Sequence, residues 1–223
     1  MWSVVGDYLG PAIGIALSPM AIVGFILMLV SAGGMAKAWG FIGGWAAGTG
    51  IVLVLVGLLV SGSSDSDADT TSSVMGWIKI LFGLGMIFLA WRQWQGRPKE
   101  GEAAVLPTWM QAMDSVTPVK AVGLGAFLAA VNPKNLPLLI TSASIIGQAN
   151  LSGAEHVASY LIFIVLATLG MLVPMVISMA MGEKGARILD DVREWMVANN
   201  ATIMAVLFLV LGVSILGKGI ESF

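Results

Sequence analysis

Six stretches of this 223-residue chain run for twenty or more residues with few or no charges. A bilayer core about 30 Å thick is crossed by about 20 apolar residues in helical form, because only a helix or a closed barrel satisfies its own backbone in lipid. The runs cover residues 8–36, 38–64, 74–95, 121–147, 157–182 and 195–217. Lys79 lies near the start of the third and can snorkel to the headgroups, whereas Lys134 lies near the middle of the fourth. The expected class is an all-α integral membrane protein of six transmembrane helices.

The composition agrees with this reading. Charged residues make up 11% of the chain against about 25% in an ordinary soluble domain, and the mean hydropathy is +0.91. A net charge of -2 gives no basic footprint for nucleic acid. The absence of cysteine removes disulfides and thiolate metal sites, and one histidine, His156, cannot build a multi-histidine site, so no metal or cofactor is expected. Asp7 stands where a signal peptide would be basic, so the first segment is expected to remain in the membrane. No GxxxxGK[ST], HExxH or GxSxG sequence occurs, and no catalytic residue is expected: the chain does not read as an enzyme.

Trp39, Trp77, Trp91, Trp94 and Trp195 fall at segment ends, as an aromatic belt would. Lys37 sits in the first loop, Arg92, Arg97, Lys99 and Lys120 around the third, and Lys184, Arg187 and Arg193 in the fifth, while the second loop, 62–73, holds three Asp and no base. The positive-inside rule then places the odd loops in the cytoplasm and both termini outside. Residues 107–118 form a short amphipathic stretch within the third loop, suited to the inner surface or to a plain linker. Small residues recur every four positions at Gly6, Gly10, Gly14 and Ser18, and again at Gly40, Gly44 and Gly48. That spacing lets helix backbones approach in lipid, as a seam within the chain or in a homodimer.

Two segments are interrupted at their centres. Ser18-Pro19 and Asn132-Pro133 each pair an N-cap residue type with proline, which lacks an amide donor and favours the first helical position. Both helices should break there and start anew at mid-depth, where irregular backbone survives only against protein or a water-filled cavity. Gly33 follows Pro19, and Gly147 follows Pro133, by the same interval. Three segments per half then imply an inverted repeat: 1–95 as the first, 96–117 as a cytoplasmic linker and 118–223 as the second.

Lys134 beside the second break should face a cavity or partner, and no acid lies at its depth. With two helix N-termini nearby, the local field should be positive and suit a carboxylate, phosphate or sulfate. The alternative is that Lys134 bonds to carbonyls freed by the break. The missing carboxylates argue against a cation pump, which needs them to replace hydration. Thr49, Asn135, Thr141, Ser142, Ser144, Thr168, Ser178, Asn199 and Asn200 read as packing polar groups, and Pro174 as a kink.

The ALSPMAIVGFILML and AVNPKNLPLLI stretches, with three helices per half, resemble the lysine exporter (LysE) superfamily and, within it, the GAP or Sap branch, named for addressing glycopeptidolipids and sulfolipids. The resemblance implies a secondary exporter or lipid-translocating protein of the bacterial plasma membrane, with Ser18, Pro19, Asn132, Pro133, Lys134 and Asn135 forming the substrate site. Amino-acid exporters of the superfamily carry glycine or polar residues where this chain has Met20-Ala21-Ile22, which favours an anionic or amphiphilic envelope molecule. The expected partners are therefore that substrate and membrane lipids. Export of amino acids or other small metabolites is the alternative, and a non-transporting assembly factor for envelope lipid synthesis is the alternative of another class.

Overall fold

The computed structural model describes residues 1–61, 68–97, 116–221 and 223, and among them the secondary structure is helical throughout, with no strand. The helices are α1 Trp2–Ala16, α2 Pro19–Val30, α3 Gly34–Ser61, α4 Ala68–Gln95, α5 Pro118–Ala130, α6 Asn135–Gln148 and α7 Gly153–Ile220. By length and composition, α3 and α7 are each able to cross a membrane, and α1 and α2 together form a third candidate span bent by 55°. The chain divides into two compact units, Met1–Gly62 with Leu106–Glu194 and Ser63–Val105 with Trp195–Phe223. Each unit therefore draws on both halves of the sequence.

In the first unit the α1–α2 bend falls at Leu17 and Ser18. Pro19 has no N–H to give to the Ile15 carbonyl, so α1 makes its last backbone bond from Leu17 N–H to Ile13 O at 2.9 Å, and α2 opens with Ile22 N–H on Ser18 O at 2.9 Å. Pro19 stands at the first helical position, and Ser18 takes extended dihedrals of φ -92° and ψ 99°. The second expected interruption is also present, since α5 ends at Ala130 and α6 begins at Asn135.

The glycines at 40, 44 and 48 form a seam between α3 and α5. A Cβ at each would collide with the carbonyl of Pro118, Val122 or Ala126 in turn, and a Cβ at Gly125 would strike the Phe41 carbonyl from the other side. Two backbones therefore lie against each other over three turns, which only glycine permits. Phe41 and Trp45 of the same helix stack with ring centroids 6.2 Å apart, and Phe25 meets Phe41 at a tilt, 5.9 Å between centroids. Residues 153–181 of α7 close the unit: Tyr8 donates to Ser159 O at 3.1 Å, Trp45 Nε1 donates to Ala167 O at 3.2 Å, and the Ala16 carbonyl lies where a Cβ on Gly170 would be. That helix starts with a capping box, in which Ser152 N–H and Oγ–H donate to Glu155 at 3.0 Å each.

In the second unit α4 and residues 195–220 run antiparallel. Gly83 and Gly212 face each other across the pair, with Gly219 against Ile80 further along. Met86, Ala90 and Phe208 form its core, and Trp77 meets Phe223 edge-on at 5.3 Å.

Several expectations need correction. Residues 183–194, read as a loop, are helical, because α7 breaks at one residue, Gly182 (φ 53°, ψ -128°), and resumes at once. Only glycine enters that region without strain. Gly33 takes the left-handed conformation at φ 69°, whereas Gly147 lies inside α6, so the two are not equivalent. Gly6 and Gly10 meet nothing within 4 Å, and of that row Gly14 alone among the glycines packs, on Leu138. From Ala68 the acidic second loop is already helix, and its residues 62–67 lie outside the described residues, as does nearly all of the amphipathic stretch 107–118.

The seam makes a paired prediction. Gly44→Ala places a methyl on the Val122 carbonyl and should destabilise by about 1–3 kcal/mol, whereas Gly43→Ala meets open space and should be neutral or gain up to about 1 kcal/mol from helix propensity. Thermal unfolding of the two detergent-purified variants should show a lowered midpoint for the first alone.

Candidate functional site

A helix interrupted inside apolar surroundings leaves its last carbonyls and its first amides without partners. At the second interruption the cap is supplied locally. Asn132 Oδ1 accepts from Lys134 N–H at 3.0 Å, and the Asn132 carbonyl accepts from Asn135 and Leu136 N–H at 2.9 and 3.0 Å. Asn132 thus performs the N-cap role expected of it with Pro133 following, although regular helix is assigned only from Asn135, a difference of the size usual at helix ends. Ser18 occupies the matching position at the first interruption but makes no side-chain capping bond, contrary to expectation.

The orphan carbonyls are satisfied by two consecutive side chains. Asn135 Nδ2 donates to Leu128 O at 3.3 Å and Ala129 O at 3.5 Å, closing the end of α5. Lys134 Nζ reaches the other break, donating to Gly14 O at 2.7 Å and Leu17 O at 3.3 Å. The dipeptide Lys134-Asn135 therefore caps both severed helices and ties α6 to the joint between α1 and α2. Gly14 permits the approach, because the Leu138 side chain lies 3.0 Å from where its Cβ would be.

Electrostatically the arrangement differs from the expected one. The ammonium lies against the carbonyl end of α1, where the helix dipole is negative, rather than in a field made by two N-termini. The alternative weighed from the sequence, a lysine bonded to freed carbonyls, is the geometry found. Two of its three N–H donors are used in this way. No salt bridge to Lys134 occurs among the described residues; the ion pairs there join Arg193 to Asp190 and Glu194.

Burial sorts the sequence candidates into two sets. Ser18, Pro19, Lys134 and Asn135 are buried, the lysine completely, at 0% exposure. Asn132 is half-buried and Pro133 exposed, as is Val131, so one side of the break reaches the surface of its unit. Asn135 Oδ1 is buried without a partner among the described residues, as are Thr49 Oγ1 and Ser159 Oγ. Ser142 and Thr168 return their hydroxyls to Leu138 O and Ile164 O, and Asn199 donates to Trp195 O, each bond lying within the residue's own helix.

What sequence reasoning missed is backbone: Gly14 O and Leu17 O, which receive the ammonium, and Gly170, which admits the Ala16 carbonyl. No residue-type signal marks a carbonyl. The described residues contain no group of three or more His, Cys, Asp or Glu able to hold a metal ion.

These features define an all-α membrane protein with two interrupted helices joined by a fully buried lysine. A family model described as Sap, sulfolipid-1-addressing protein, matches residues 8–221, and the chain belongs to that family. No curated protein and no solved structure matches the chain.

The two caps differ in a testable way. Asn132→Ala removes a side-chain bond that is made and should cost about 0.5–2 kcal/mol of stability, while Ser18→Ala removes none and should leave the thermal midpoint within the error of wild type. Equal shifts for both would contradict the asymmetry.

Proposed function

We propose that this chain is a secondary exporter or lipid-translocating protein of the bacterial plasma membrane, carrying an anionic or amphiphilic envelope molecule, such as a glycolipid or lipid precursor, to the outer side. The family description, which names a sulfolipid, supports a lipid of that charge. The observation that carries the reading is the Lys134 ammonium, fully buried at the joint of two interrupted helices and bonded only to carbonyls among the described residues.

A lysine at the bilayer centre costs at least about 2.5 kcal/mol. For capping carbonyls alone, a neutral donor such as the amide used by Asn135 would serve. A protonated lysine adds charge attraction for an anion. In the proposed cycle the carbonyls of Gly14 and Leu17 hold the ammonium while the site is empty. A sulfate, phosphate or carboxylate head group then takes over the ammonium, with the Ser18 hydroxyl, Asn132, Asn135 and the first-turn amides after Pro19 and Pro133 completing the site. Release of Gly14 and Leu17 frees the α1–α2 joint to move, so binding and opening are one event. The exposed face at Val131 and Pro133 would admit the head group while the acyl chains stay in lipid.

The reading includes an inverted repeat of six spans with both termini outside, in which α1–α2 corresponds to α5–α6, α3 to residues 153–181, and α4 to residues 195–220. Kinship with the lysine exporter superfamily is part of the same reading. A second reading is favoured by the same two hydrogen bonds: if the ammonium only caps α1, the chain is an assembly partner for lipid synthesis.

Lys134→Met separates the two. In proteoliposomes assayed below the variant's own melting temperature, flux of a fluorescent anionic lipid should fall at least about tenfold, the size of a lost charged contact worth about 1.5–3 kcal/mol. Arginine should rescue only partly, since its planar fork does not occupy the position of a compact ammonium. A folded Met variant with wild-type flux would leave Lys134 a structural cap.

A further inference from the structure

The second unit has a feature that the proposed translocation site does not use. Ile87, Ala90, Trp91 and Trp94 of α4 and Ala205 and Leu209 of the antiparallel helix line a cleft of about 350 Å³. Its volume lies at the small end of ligand sites, about 300–1,000 Å³. Its walls are hydrocarbon and indole, and Trp91, Trp94 and Leu209 are each roughly half exposed. Tryptophans in such a position, with one apolar and one polar edge, suit the boundary between acyl chains and head groups.

A cation is fixed at the tryptophan end. The Arg97 guanidinium carbon lies 3.9 Å from the centroid of the Trp94 ring that lines the cleft, and Nη1 donates to the Trp94 carbonyl at 3.2 Å. Arg92 lies in the last turn of the same helix. No Asp or Glu occurs in residues 76–97 or 195–220, the segments that build this part of the unit, so neither helix offers Arg97 a carboxylate. Among the described residues the Arg97 guanidinium is held by stacking on one ring and by one backbone bond, which leaves further N–H donors, and two of them match two oxygens of a phosphate or sulfate.

We propose that this cleft is a binding site for one anionic membrane lipid, with an acyl chain lying between α4 and residues 195–220 and the head-group anion on Arg97. Charge complementarity selects the occupant: a neutral or zwitterionic lipid fills the apolar walls equally well but gains less at the guanidinium. The site stands apart from the Lys134 reading, and loss of either leaves the other intact.

Brominated lipids test it through tryptophan fluorescence. The whole protein is placed in nanodiscs of phosphatidylcholine containing a small fraction of phosphatidylglycerol or phosphatidylcholine with dibrominated acyl chains. Brominated phosphatidylglycerol should associate about fivefold more strongly, the effect of one basic residue near a membrane surface, and Trp91→Phe with Trp94→Phe should remove the excess quenching. Arg97→Gln, at an exposed position, should bring the two lipids to parity. Val206→Phe, which fills the cleft from its exposed side and leaves the cation in place, should also abolish the preference. Equal quenching by both lipids in the native protein would mean bulk annular lipid only and would overturn the site, as would a preference that survives either Arg97→Gln or Val206→Phe.

Discussion

The two hydrogen bonds from Lys134 Nζ to the carbonyls of Gly14 and Leu17 hold the first unit in its observed form. A helix cut at mid-span exposes backbone acceptors that lipid cannot satisfy, at a cost of about 1–3 kcal/mol each when buried without a partner. Here the cut in α1–α2 is satisfied from the cut in α5–α6, whose own loose ends are capped locally by Asn132 and Asn135. Asn135, the next residue, performs the same service for α5 through Leu128 and Ala129. Everything nearby follows from bringing these elements close: Gly14 beneath Leu138, Gly170 beneath the Ala16 carbonyl, and the glycine seam that lets α3 lie on α5.

Much of this was legible in the sequence because proline and glycine act through backbone sterics that hold in any surroundings. Pro19 and Pro133 interrupt helices as their missing donors require, Gly40, Gly44 and Gly48 form a seam, and segment ends expected at Gln95 and Gly182 coincide with a helix end and a helix break. Where the reading departed from the fold, the cause is tertiary. The row beginning Gly6 and Gly10 has the spacing of a seam, but spacing does not determine whether a partner is present. Residues 183–194 carry the charges of a loop and are helical, because one positive-φ glycine turns the chain without a connecting segment.

The candidate site was legible in its residues and less so in its electrostatics. Ser18, Pro19, Lys134 and Asn135 are buried around the joint, as a shared site requires. The sequence left the lysine between an anion and freed carbonyls, because main-chain oxygens carry no residue-type signature that would decide between them. Under the proposed function the lysine would have two chemically distinct partners, the carbonyls of Gly14 and Leu17 while the site is empty and a full negative charge when it is filled. An anion attracts the ammonium more strongly than a carbonyl does, and that difference would drive the exchange.

That exchange can be observed on the nitrogen itself. In protein labelled with 15N at lysine side chains and reconstituted in bilayers, the Lys134 Nζ resonance is identified by its loss in Lys134→Met and followed by solid-state NMR as a sulfated glycolipid is added. The account predicts that the resonance shifts with saturable dependence on the sulfated lipid and stays in place with the same glycolipid lacking sulfate. A resonance that the sulfated lipid leaves unmoved, in protein that still transports it, would contradict the claim that Lys134 exchanges its carbonyls for the substrate anion.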